Sequence, residues 1–443
     1  MLKSREEIVS LYNLVSFGGI FILMGFAWLI SSNRRNVNYR VLVWGVSLQL
    51  VFGAFIFLLP AGAKLFLFIN DLVVEVLGSA SAGAEFLFGR LALPPGTSNA
   101  AGEGSLGFFL AFQALPTIIF FSALMSILYY TGVMPRVIKA FSSLFSRLMR
   151  LSGAESVSTA SNVFVGIESL LTIKPYLDRM TRSELCTVLT AGMATVSSNV
   201  LALYIFSLKG VFPTIAAHLV SASILSAPAS LVMSKLLLPE DSVPETLGIS
   251  VEPYYDREGS LFEAVINGAE SGVKLIVGIV ALLVAVLGLV ALLNLATGSL
   301  GAHVNNLTGI NIDWSLEGLL GYLFYPFVLV TGVPVADAYQ ISKIVGERAV
   351  VTEVVSYQDL ARVMKEGVLT DPRSPVLAAY ALCGFAHVAS MAIFVGGAAA
   401  LAPGRKKDIA SVGLRSLIAA TLACLMTACI AGVFYMGTSA LLG

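Results

Sequence analysis

Eight stretches of this chain run for about 20 residues almost without charge, the length a helix needs to cross the hydrocarbon core of a bilayer. They lie at about 14–31, 41–60, 108–132, 186–208, 213–238, 271–296, 376–402 and 411–439. The charged residues inside them are Lys235, Lys274 and Arg415, each within about a turn of an end, where a long side chain is expected to snorkel to the interface. The runs are continuous rather than alternating, which selects transmembrane helices over a β-barrel. Composition agrees: charged residues are 12% of the 443 and net charge is zero, where soluble domains carry about 25% charged residues. That balance excludes a disordered chain, a secreted disulfide scaffold and a nucleic-acid binder with a basic field. Cys186, Cys383, Cys424 and Cys429 all fall in apolar runs without metal-site spacing, and there is no Walker A loop. No nucleophile–base pair or metal cluster suggests an enzyme.

Sidedness follows from the basic loops. Arg34, Arg35 and Arg40 place the first loop in the cytoplasm and the N-terminus outside, with the first span read as uncleaved. Arg136, Lys139, Arg147 and Arg150 then fall inside, as do Lys174, Arg179, Arg182 and Arg405, Lys406, Lys407. These agree only if 155–181 and 315–357 do not cross, so both are expected to be re-entrant hairpins, one from each face. Residues 62–90, apolar but interspersed with Lys64, Asp71, Glu75, Glu85 and Arg90, read as an amphipathic or tilted interfacial helix.

Two stretches resemble each other: Gly192-Met193-Ala194-Thr195-Val196-Ser197-Ser198 and Gly384-Phe385-Ala386-His387-Val388-Ala389-Ser390. Each sits in a span preceded by a hairpin, which gives two units of opposite topology. Inverted repeats with interrupted helices meeting at mid-membrane are a layout of secondary transporters; two helix-packing patches of small residues are the alternative. The runs Thr195 to Asn199 and Gly384 to Ser390 are the expected unwound points. Four regions result: 1–154, spans, interfacial helix and scaffold; 155–238, hairpin and two spans; 239–314, cytoplasmic linker and scaffold span; 315–443, hairpin and two spans.

Glu168 and Glu353 fall in the two hairpins. An acid at membrane depth costs about 2.5–3.5 kcal/mol on the insertion scale, so it is expected to face a cavity and a partner. An ionised carboxylate suits a vicinal diol or a base N–H. Either acid could instead sit in water at a hairpin base. His387 is a third polar group at an unwound point, a packing residue or an imidazole that both donates and accepts. His218 and His303 read as loop or span-end residues without chemistry.

At these residues, and over nearly the whole chain from Ser32-Asn33-Arg34 onward, the sequence resembles the concentrative nucleoside transporter family. The best stretches are Phe112-Gln113-Ala114-Leu115-Pro116-Thr117, Ser152-Gly153-Ala154-Glu155-Ser156, Met180-Thr181-Arg182-Ser183-Glu184-Leu185, Ser226-Ala227-Pro228-Ala229-Ser230, Ala381-Leu382-Cys383-Gly384-Phe385-Ala386 and Leu401-Ala402-Pro403-Gly404-Arg405-Lys406-Lys407-Asp408. The resemblance implies an all-α integral membrane protein of eight spans and two opposed hairpins, working as an elevator in a homotrimer. It also implies nucleoside import driven by a sodium or proton gradient across the cell (inner) membrane, with no organic cofactor. On the ribose side it implies Glu353, Phe385 and Ser390, and on the base side Val200. For sodium it implies Asn162, Val165, Thr195 and Val196.

Departures from the family pattern concentrate on the substrate. The tip Gly166-Ile167-Glu168-Ser169-Leu170 has Ile167 where the family carries Gln. His387 stands for a ribose-contacting Asn, Thr352 for the Asn before the second acid, and Ser197, Ser198 and Asn199 for small residues. Glu353 and His387 are therefore expected to bracket the sugar, with Glu168, Ser198 and Asn199 facing the base. A shifted base or sugar preference follows. The other readings are a cation-coupled symporter for a different polar solute, and a non-transporting gate or scaffold of the same fold. If His387 pairs with Glu353, transport should vary with pH where imidazole titrates.

Overall fold

In lipid a chain must satisfy its own backbone hydrogen bonds, and this one does so with helices almost throughout. The computed structural model describes residues 2–99, 101–255 and 258–437, with the side chains of 2–10 outside the description. Among the described residues there is no strand beyond two isolated bridges. The N-terminal part holds α1 (Leu2–Leu29), α2 (Tyr39–Phe57), α3 (Pro60–Phe88), α4 (Leu110–Gln113), α5 (Leu115–Tyr130) and α6 (Val133–Met149). The first repeat is α7 (Gly153–Asn162), α8 (Arg182–Ala194), α9 (Ser198–Leu208) and α10 (Ile215–Leu237). Then come the 48-residue α11 (Leu261–Thr308) and α12 (Leu316–Val330). The second repeat is α13 (Val335–Val350), α14 (Glu353–Lys365), α15 (Arg373–Leu382), α16 (Val388–Leu401) and α17 (Lys406–Val433).

The two repeats pack on each other, α8 and α10 against α17, and form the buried centre; α11 lies on α5 with most of its apolar surface outward. Eight helical segments are long and apolar enough to span, as expected, but the set differs from the eight runs. Pro60–Leu91 is one of them, because Lys64, Glu75, Glu85 and Arg90 lie toward its ends or on one face of a long helix rather than breaking it. Residues 376–402 are instead two short helices, α15 and α16, separated by a break.

The helices break where polar runs fall in apolar surroundings. α8 ends at Ala194, Thr195 to Ser197 are non-helical, and α9 starts at Ser198. Likewise Cys383 to His387 separate α15 from α16. Gly384 adopts φ +124°, and a β-carbon there would lie 2.7 Å from the Ala194 carbonyl, so the two breaks cross in contact. The breaks occupy the expected runs, but Ser198, Asn199 and Val388 to Ser390 are already helical. Aligned on their resuming helices, Ser197 corresponds to His387, two residues away from the register of the seven-residue similarity. The repeat therefore lies in the order of elements; the matching letters are out of step, because the second break is longer.

Hairpin geometry also differs in detail. In the first, α7 is followed by a 3₁₀ segment, Ile167–Ile173, which ends just before Pro175, so its second arm is short and tight. The second does not start at 315. Gly332 turns the chain at φ +87° and Pro334 opens α13, so α12 is a separate helix packed along the hairpin, whose second arm runs to Lys365.

Sidedness is written in the contacts. Arg40 donates to Leu148 O at 2.7 Å, Ser32 N–H to Leu237 O at 3.0 Å, and Arg405 to Met180 O at 2.6 Å. These collect the four basic loops, and the base of the first hairpin, on one face. On the other, Arg373 binds Asn13 and Ser16 of α1, and Asp337 at the base of the second hairpin accepts from Thr370 and Ser374. The hairpins thus enter from opposite faces. Lys274 is exposed, but Lys235 does not snorkel: it is 4% exposed and its Nζ lies 2.8 Å from Glu155 Oε2 of α7. The carboxylate was reachable because the Ser152–Glu155 capping box fixes that glutamate at the start of α7.

Candidate substrate and ion site

A cavity forms where the hairpin tips meet the starts of α9 and α16. It is lined by Ile167, Glu168, Val200, Glu353, Phe385, His387 and Ser390, all seven named from the sequence, together with Ser197, Thr352 and Phe394. Leu275, Ile279, Leu282 and Leu283 of α11 close it with an apolar wall. Both half-helix N-termini, at Ser198 and Val388, lie beside this region, so the positive ends of their dipoles are close to it.

Glu353 is the first residue of α14 and is buried. Tyr204 donates its phenolic proton to Glu353 Oε1 at 2.6 Å. Tyr204 is in turn held against Tyr357, ring centroids 4.7 Å apart, and Tyr357 donates to Ala379 O. Glu353 Oε2 lies 2.9 Å from His387 Nε2, but off the line of a hydrogen bond, so this oxygen keeps capacity for a further donor. His387 is the N-cap of α16: Nδ1 accepts from Ser390 N–H at 3.3 Å, and Nε2 lies 2.7 Å from Ser390 Oγ. Accepting at Nδ1 assigns the proton of a neutral ring to Nε2, the nitrogen facing Glu353. The expected Glu353–His387 pairing is present, and Tyr204 completes it. Tyr204 was not singled out from the sequence, although a hydroxyl within an otherwise apolar span needs a partner and so marks it.

Two expected residues do not line this cavity. Ser198 turns its N–H to Phe164 O at 2.9 Å. Asn199 points into a larger neighbouring cavity of about 500 Å³, with Tyr129, Tyr254 and Tyr255, onto which Glu168 also opens. The cause is the early restart of α9: once Ser198 is helical, Ser198 and Asn199 are carried round to the side of the first hairpin.

The residues expected to hold the ion lie near the tip of the first hairpin, where it meets the α8–α9 break. Asn162 closes α7, is fully buried, and donates through Nδ2 to Ser158 O at 2.9 Å, while Oδ1 has no hydrogen-bond partner among the described residues. Thr195 Oγ1 donates to Ala191 O at 2.9 Å, leaving its lone pairs outward. Ser223 of α10 reaches Val163 O at 2.9 Å and Val196 O at 3.4 Å, tying hairpin and break together. This serine was also missed; it is one of several hydroxyls in α10. A buried acceptor without a donor, among neutral oxygens and carbonyls, fits a hard cation.

A family described as Na+ dependent nucleoside transporter matches residues 18–91 by its N-terminal part and 218–432 by its C-terminal part, and a nucleoside recognition gate family matches 111–211. Solute carrier family 28 member 3 of Mus musculus is 37% identical over 95% of this chain, which spans 59% of that relative's length. An uncharacterized transporter of Haemophilus influenzae is 34% identical, covering 97% of this chain and 99% of its own. Among solved structures, CNTnw in an inward-facing substrate-bound state has TM-score 0.84 and 33% identity, covering 96% of this chain and 99% of that one. The chain spans about three fifths of the mammalian relatives it matches and nearly all of the bacterial one.

Proposed function

The chain belongs to the concentrative, Na+-dependent nucleoside transporter family, and on that premise we propose that it imports a nucleoside across the membrane together with sodium. The observation that carries this is the pairing of a polar acid with an apolar slot. Glu353, oriented by Tyr204, offers Oε2 to a sugar hydroxyl beside the Nε2–H of His387. Ile167, Val200, Phe385 and Phe394 form the surface on which a flat base packs. Glu168 at the first tip reads a polar edge of the base. Asn162 Oδ1, Thr195 Oγ1 and the carbonyls of Val165 and Val196 hold the sodium.

Coupling is a matter of shared parts. Sodium binds where the first hairpin meets the α8–α9 break, and that junction positions the tip carrying Glu168. Each ligand therefore stabilises the geometry the other needs, and each raises the other's affinity by the same factor. The two repeats, carrying both hairpins, move as the elevator against α5 and α11, in a homotrimer. CNTnw was solved in outward-facing, intermediate and inward-facing states.

His387 favours a second version of the same reading. The family Asn is here a group that can carry a proton next to Glu353, so in this version a proton replaces or accompanies sodium at the sugar end. The deciding experiment is uptake of labelled uridine and adenosine into proteoliposomes under an inward sodium gradient, with matched potassium and proton-gradient arms. Sodium-dependent accumulation is expected. Accumulation driven by the proton gradient alone would replace sodium by protons, and no accumulation in any arm would move the search to other solutes.

A further inference from the structure

The two repeats treat their mid-membrane carbonyl ends differently. α8 and α15 each stop at a break and leave their last carbonyls without helical partners, the negative ends of their dipoles. At the end of α8 the groups supplied are neutral: Thr195 on Ala191 O, Ser223 on Val196 O, and the unpartnered Asn162 Oδ1 from the last residue of the first hairpin arm. At the end of α15 a cation is built in. Arg348, in the last turn of the corresponding arm α13, is fully buried and donates through Nη1 to Ala381 O. Among the described residues its Nε and Nη2 have no hydrogen-bond partner and no carboxylate lies within ion-pair distance. Tyr357 and Cys424 cover neighbouring carbonyls, at Ala379 and Cys383.

A buried guanidinium without a counter-charge is costly unless something negative offsets it. Here the carbonyl end of α15 does so. We infer that Arg348 is a fixed cation occupying, in the second repeat, the position that sodium takes in the first, so that the chain moves one sodium with each nucleoside. The inference rests on the sodium-symport reading. It makes Arg348 a positioning residue: it touches neither substrate nor ion, but holds the α15–α16 break that carries Phe385 and His387.

The test is the order of sodium dependence of nucleoside binding to purified protein, read by equilibrium binding of labelled uridine or adenosine, whichever the unchanged protein takes up, at a series of sodium concentrations. The same series is repeated in Arg348→Lys and Arg348→Gln. The unchanged protein and Arg348→Lys are expected to show first-order dependence. Arg348→Gln, with a neutral oxygen in place of the charge, is expected to steepen toward second order, with half-saturation at several-fold higher sodium. Second-order dependence in the unchanged protein would overturn the assignment without any variant. So would an Arg348→Gln protein that keeps a first-order curve and its half-saturation. Binding indifferent to sodium in the unchanged protein would overturn the symport reading itself, a result distinguishable from either.

Discussion

At the scale of single residues, Glu353 and Tyr204 make the sharpest predictions. A hydrogen bond to a charged group contributes about 1.5–3 kcal/mol, so Glu353→Gln should weaken nucleoside binding roughly 10- to 100-fold, measured by equilibrium binding at saturating sodium. Tyr204→Phe leaves the acid in place but frees Oε1, and a smaller loss is expected, about 3- to 10-fold. Equal affinity in both variants and the unchanged protein would remove the acid from the sugar site. Glu168 and Glu353 were both legible in the sequence because a carboxyl in a hairpin at membrane depth stands out against an apolar background. Tyr204 was not, because its role depends on a partner 149 residues away.

At the scale of elements, the broken helices decide what the site can be. Gly384→Ala places a β-carbon against the Ala194 carbonyl at a left-handed φ, so the crossing must open. Its melting temperature in detergent is expected to fall by several degrees, with nucleoside binding lost. Asn162→Ala removes the unpartnered oxygen without disturbing a hairpin tip. It should raise the sodium needed for half-maximal uptake about 10-fold or more, while leaving binding at very high sodium nearly intact. The unwound points were readable as polar runs in apolar spans. Their ends were not: Ser198 and Asn199 turn away because α9 restarts at Ser198, a choice made by Phe164 O and the packing of hairpin on break. Lys235 shows the same limit. From sequence it snorkels; in the fold it meets Glu155, and removing one member of such a buried pair costs about 3–5 kcal/mol. Glu155→Gln should therefore lower thermal stability clearly more than Lys274→Gln, whose side chain is exposed.

At the scale of the whole molecule, the proposed function puts sodium and nucleoside on parts of one body, so each should stabilise the folded protein against heat. The melting temperature is expected to rise with sodium, and to rise further with nucleoside only when sodium is present. Potassium at equal ionic strength should do neither. A nucleoside shift of the same size in potassium would separate the two sites and end the coupling argument.

The sequence by itself determined the solvent, seven of the eight spans, the sidedness and the residue types at the centre. Lipid offers no hydrogen bonds, so the apolar runs had to become helices, and any acid, histidine or asparagine inside them had to be there for a partner. Only the tertiary structure decided who the partners are. Tyr204 meets Glu353, Lys235 meets Glu155, and Arg348 meets the end of α15, each through contacts between elements distant in the chain. The span at 376–402 became two helices for the same reason: its break is held by the crossing with the first repeat, through Gly384 against Ala194. Local sequence specifies what each segment can satisfy alone, and the packing of one repeat on the other specifies what remains.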